Sequence, residues 1–180
     1  MKTVAVLLPA LLASCLAPAS DAPVVPAAPG LLVINEVTWS RLGPDGAMDP
    51  ADWVELFNPA ADRAVDVGEC VLKDDNDEHH LTLPKGMIVA PRAFLVMRKA
   101  ASPAVAGGLR YGFGLARDDS VRLFDAHGTL LDFVSFDGLP MGQSKGRYPD
   151  GLGSAHPLPS STPGEANVQP PSCDGPSRIQ

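Results

Sequence analysis

Apolar residues along this chain come in short runs, and each run is cut by Gly, Pro or an Asn/Asp turn. Runs rich in Val, Leu, Ile and Phe predict strands over 31–37, 53–57, 65–67, 70–72, 81–83, 87–89, 93–97, 120–124 and 130–134. Asn58-Pro59 and Pro84-Lys85-Gly86 close two of them with turn chemistry. Asp125-Ala126-His127-Gly128 joins the last two as a hairpin turn. No segment carries a sustained helical apolar period, and no stretch repeats another. Short strands spaced this closely predict an all-β domain, a sandwich or a barrel.

The two ends follow different rules. Lys2 precedes an apolar run from Val4 to Ala13 that is too short to span a bilayer, which takes about 20 residues. It suits the middle of a secretory signal, and it ends in Leu12-Ala13-Ser14-Cys15. That ending resembles the lipobox of bacterial lipoproteins, in which small residues admit the peptidase and the cysteine thiol takes the lipid. The resemblance implies a signal peptide over 1–14 and lipidation at Cys15, hence a palmitate-type anchor in the envelope. Leu16, in place of an Asp, points to the outer membrane, on its periplasmic or surface face. An ordinary secretory signal with an incidental cysteine is the plainer alternative. Residues 15–30, dominated by Ala and Pro, read as a semi-rigid tether, and 168–180 as a disordered Pro/Ser tail. The folded domain is expected over 31–167.

Composition narrows the function. The chain has 180 residues, enough for one domain with tails, and Gly 17 and Pro 19 favour loops and strands over a helical bundle. Its net charge is -7, and loss of Lys2 with the signal makes it one unit more negative. An acidic surface repels phosphate backbones, so nucleic acid is an unfavoured partner. With Cys15 lipidated, Cys70 and Cys173 remain as a candidate disulfide in an oxidising compartment, or as two unpaired thiols.

Several residue groups carry candidate chemistry. Gly142-Gln143-Ser144-Lys145-Gly146 matches a nucleophile elbow letter for letter, with Asp150 and His156 downstream. The elbow requires a strand-to-helix turn, and Arg147-Tyr148-Pro149 follows instead. Asp74, Asp75 and Asp77 are candidate calcium ligands, but Lys85 stands where a bidentate Glu would be needed, so a solvated loop competes with a metal site. His79 and His80 are adjacent and point to opposite faces of a strand, which argues against a shared metal. Glu36 and Glu55 sit inside strands and could be an acid–base pair or structural contacts. Arg147 is expected to reach one of these glutamates and pin the closing loop. Trp53 is expected in the core, while Trp39, just past the first strand, is the better candidate for an exposed sugar platform.

Taken in order, Ile34-Asn35-Glu36-Val37, Asp52-Trp53-Val54-Glu55-Leu56-Phe57-Asn58-Pro59 and Val65-Asp66-Val67-Gly68 resemble the opening strands of the lamin tail domain in its bacterial branch. Leu83-Pro84-Lys85-Gly86, Asp119-Ser120-Val121-Arg122-Leu123, Gly128-Thr129-Leu130-Leu131-Asp132, the Gly142–Gly151 loop and Thr162-Pro163-Gly164-Glu165-Ala166-Asn167 continue the likeness. Cys70 and Lys73-Asp74-Asp75 depart from it, and the loop over 40–51 is long. The resemblance implies an immunoglobulin-like β-sandwich acting as a non-catalytic binding or scaffolding module with no cofactor. Its implied partners are the membrane, through the anchor, and a protein or cell-envelope polysaccharide. A small hydrolase using Ser144 or the Glu36/Glu55 pair, and a calcium-dependent adhesin, are the rival readings.

Overall fold

A computed structural model describes residues 22–40, 52–100 and 109–169. Cys15, Cys173, the signal segment and most of the loop over 40–51 lie outside these residues. The described residues form strands β1 (Val24–Pro26), β2 (Val33–Thr38), β3 (Trp53–Phe57), β4 (Ala64–Asp66), β5 (Val71–Lys73), β6 (His80–Thr82), β7 (Ile88–Val89), β8 (Phe94–Lys99), β9 (Leu109–Tyr111), β10 (Asp119–Phe124), β11 (Leu130–Phe136), β12 (Ser144–Gly146) and β13 (His156–Pro157). None of them forms a helix, so none forms one long and apolar enough to cross a membrane.

The described strands make three sheets. A six-stranded sheet runs β13-β12-β2-β3-β8-β9, a four-stranded sheet runs β11-β10-β5-β6, and a small sheet runs β1-β4-β7. The first two face each other as a sandwich. Ile34, Val37, Val54, Leu56 and Met97 from the larger sheet meet Leu72, Val121, Leu123, Leu131 and Val134 from the smaller one, with Val65 and Val89 completing the layer. Burying a large aliphatic side chain contributes roughly 1.5–3 kcal/mol. A typical hydrogen bond contributes about 1 kcal/mol net. The apolar layer therefore supplies most of the stability, and the polar contacts select the arrangement.

The hairpin forms as its turn chemistry predicts. Asp125 Oδ1 accepts the amides of His127 and Thr129, and Gly128 takes a positive φ of 85°. At the amino end the structure corrects the tether boundary. Val24–Pro26 pairs in parallel with β4, and Ala27 N donates to Asp66 O, so the strip next to the domain is part of it. Proline is acceptable there because β1 is an outer strand, where a missing donor costs no ladder bond.

The described ladders contain two β-bulges. In the β2–β3 ladder Ile34 faces Leu56 and Glu36 faces Glu55, leaving Asn35 as the extra residue. In the β10–β11 ladder Leu123 faces Asp132 and Phe124 faces Leu130, leaving Leu131 extra. A bulge shifts which side chains share a face beyond it.

Candidate functional site

The densest polar region lies where β2, β3 and β12 meet the closing segment over 158–167. One cross-strand row reads His156, Gly146, Glu36, Glu55, Val96 across β13, β12, β2, β3 and β8. Gly146 is required here. A Cβ on it would lie 2.7 Å from Leu158 Cδ1 and 2.8 Å from Asn35 O, so any side chain would lift the closing segment off the sheet.

Glu36 and Glu55 have 0% exposure. Thr162 donates to Glu36 through its amide and, at 2.8 Å, through its hydroxyl. Gly164 N donates to Glu55 Oε2 at 2.6 Å, and Asn35 Nδ2 donates to Glu55 Oε1 at 3.0 Å. Asn35 Nδ2 also reaches Asp150 Oδ1, which accepts Asn167 N as well. Asn167 Nδ2 donates to Arg147 O. Burial raises the pKa of Glu36, partly offset by the Ser144 and Thr162 hydroxyls nearby. Burial raises Glu55 further, to about 7, offset by the donors Asn35 and Gly164, with Glu36 and Asp150 adding repulsion.

Arg147 pins the closing loop, but to other partners than the expected glutamates. Its Nη2 donates to both oxygens of Asp132 at 2.8 and 3.0 Å, its Nε donates to Ile34 O, and its Nη1 donates to Gly153 O. Asp132 also accepts Ile34 N at 2.7 Å. Since Asp132 is on β11 and Ile34 on β2, this pair ties the two sheets together. Lys145 Nζ adds a second tie, donating to Ser135 O on β11. Asp132 alternates with Val134 and Phe136 onto the inward face of β11, and an alternation pattern does not show which strand of the opposite sheet it meets. That is why sequence reasoning chose the right arginine and the wrong acid, and why it passed over Asn35 and Asn167. The Asn-Glu pair in β2 and the Thr-Pro-Gly-Glu-Ala-Asn stretch were the available signals.

Ser144 does not sit on an elbow. It lies in β12 opposite Thr38, 1% exposed, and its hydroxyl makes no hydrogen bond of normal geometry. No histidine is therefore within hydrogen-bond reach of it. His156 is exposed on β13, and Asp150 is held by Asn35 and Asn167. The glutamate pair likewise lacks access, because both carboxylates are covered by the closing segment.

The acidic loop is rearranged relative to expectation. Asp74 and Asp75 gather with Asp119, not with Asp77. Asp77 instead meets Arg122 Nη1 at 2.9 Å and Lys73 Nζ at 3.8 Å. Asp74 is already used by His79 Nδ1 at 2.8 Å and by Asn76 N. Asp119 accepts the amides of Ser120 and Ala116, and burial raises its pKa, with Asp75 adding repulsion. These contacts describe an internally bonded loop. His79 stacks on Phe113 with ring centroids 5.7 Å apart, and His80 is exposed, so the two do not converge.

Among the described residues Cys70 is a buried thiol bonded to no other cysteine, with its pKa pushed up to about 11, chiefly by burial; Cys173 lies outside them. Trp53 is 2% exposed on the face opposite Val54 and Leu56. Trp39 is 8% exposed, and its indole N–H donates to Leu139 O at 2.6 Å. It is a core residue and not an exposed platform, because its polar edge finds a buried carbonyl.

The exposed apolar side chains are elsewhere. Phe133 and Leu130, each 47% exposed, lie on β11 at the outer side of the four-stranded sheet. The register aligns Phe133 with Arg122, Lys73 and His80 on the neighbouring strands. Beside them is a shallow cavity of about 370 Å³ lined by Val71, Lys73, Phe124 and the hairpin turn.

A family model described as Lamin Tail Domain matches residues 25–138. Its start coincides with β1, in agreement with the corrected amino-terminal boundary. No curated protein matches the chain.

Proposed function

This chain belongs to the lamin tail domain family, an immunoglobulin-like β-sandwich that is typically non-catalytic, and on that premise we propose that it is a binding or scaffolding module held at a bacterial envelope by a lipid on Cys15. The anchor rests on the run from Lys2 to Cys15 alone. Several acyl chains on one residue would hold stably, since each buried methylene contributes about 0.8 kcal/mol. Outer-membrane residence rests on Leu16, and the partner is a protein or a cell-envelope polysaccharide.

The observation that carries the binding role is the outer side of the four-stranded sheet. It offers half-exposed Phe133 and Leu130 beside Arg122 and Lys73, while Glu36, Glu55 and Ser144 are buried. Aromatic and arginine side chains are the usual anchors of recognition surfaces.

Membrane fractionation with radiolabelled palmitate tests the anchor. The wild-type chain should carry label and sediment with membranes, and Cys15→Ser should lose both. Label retained by Cys15→Ser would overturn the lipidation assignment. Capture from intact envelopes tests the surface: Phe133→Ala should lose whatever the wild-type bait retains, and equal capture by both would remove this face from the proposal.

A further inference from the structure

Glu36 and Glu55 stand directly opposite each other in an antiparallel ladder, where like charges are unfavourable even at a surface. Here both are fully buried. Among the described residues no cation forms an ion pair with either. The groups that could have done so are turned elsewhere. Arg147 is taken by Asp132 and Lys145 by Ser135 O. On β8 the residue opposite Glu55 is Val96, and Arg98 stands across from Trp53. On β13 His156 is separated from Glu36 by Gly146 and is exposed, as is Glu165 on the closing segment. The third charged group facing the pair is another acid, Asp150.

What removes these carboxylates from water is the closing segment, whose Thr162 and Gly164 bond to them. An ionised carboxylate gains from those donors but loses its hydration, and a second ionised neighbour adds repulsion. Protonating one of the pair removes one charge and leaves acceptor oxygens in place. Lifting the segment restores water instead. The two outcomes exchange as pH changes.

We propose that Glu36 and Glu55 form a proton-operated latch on the carboxy-terminal closing segment, closed when one of the pair is protonated and loosened when both ionise. Glu55 titrates near neutrality, so the change falls within ordinary environmental pH. The proton bound in the folded state favours closure at low pH. That preference fades as pH rises from the free glutamate value of 4.5 through about 7. Opening would bare the outer face of β2 and β3.

Hydrogen exchange on the full chain tests this, with rates corrected for intrinsic pH dependence. From pH 5.5 to 8, protection at Leu158, Gly164 and Asn167 should fall about tenfold or more relative to amides in the β2–β3 ladder, a factor matching at least one pKa unit of coupling. Glu55→Gln should flatten that dependence. Should this variant fail to fold, Glu36→Gln serves the same purpose, and the wild-type profile is decisive alone. Constant protection across this range, protection that rises with pH, or an unchanged profile in a folded Gln variant would overturn the latch.

Discussion

Asp132 and Glu55 are both carboxylates withdrawn from water, and they are resolved in opposite ways. Asp132 receives one guanidinium nitrogen across both its oxygens and a backbone amide, so its charge is matched where it stands. Glu55 receives only neutral donors and faces a second glutamate. The first arrangement makes a permanent tie between two sheets. The second makes a contact whose strength depends on protonation. The difference lies in where one arginine goes: had Arg147 reached the glutamates, their charge would be matched and the sheets would lose one of their polar ties.

Neither region rivals the apolar layer in energy, which orders the expected effects. Leu56→Ala, in the fully buried inter-sheet core, should cost about 2–5 kcal/mol in urea denaturation, through lost transfer energy and a residual cavity. Arg147→Ala should cost about 3 kcal/mol, inside the same range, because it strands a mostly buried Asp132. Arg147→Lys should recover only part of that loss, since an ammonium that meets Asp132 cannot also reach Ile34 O and Gly153 O as Nε and Nη1 do. If Arg147→Ala proves as mild as an exposed ion pair, below about 1 kcal/mol, the tie is not structural and the contrast between the two acids collapses.

The pH dependence sharpens the contrast. Glu55 has a raised folded pKa, so the folded state binds more protons than the unfolded one between about 4.5 and 7. Its contribution to wild-type stability should therefore fall as pH rises through that window, by roughly 1–3 kcal/mol, and level off above it. Urea midpoints measured from pH 5 to 8 check this, with Glu55→Gln reducing the slope.

The smallest effect should come from Ser144→Ala. Its hydroxyl is buried without a well-formed hydrogen bond, so removal should change stability by less than about 0.5 kcal/mol. It should leave any ester hydrolysis by the chain unchanged. A large loss of either would return the serine to consideration as a working group.

The sandwich was legible because its central strands alternate or run apolar: 53–57 is β3, and the paired runs flanking Asp125-Ala126-His127-Gly128 are β10 and β11. β1, β12 and β13 were not legible. They are short and rich in Pro, Gly or Ser, and they exist because neighbours supply the ladder. The site was half legible for the same physical reason. Glu36, Glu55 and Arg147 are conspicuous polar residues in or beside strands, but the glutamates' pairing depends on the extra residue Asn35, and Arg147's on how the two sheets meet. Trp39 was placed outside because it follows a strand end, whereas Leu139 O, a hundred residues on, draws it into the core.

The sharpest measurement is the titration of the Glu55 side-chain carboxyl in the full chain, tracked by its carbon chemical shift. A buried glutamate facing Glu36 and Asp150 without a cation should show a midpoint near 7. A midpoint at the ordinary glutamate value near 4.5 would mean that its charge is compensated or hydrated in the folded protein, and it would contradict the contrast drawn with Asp132.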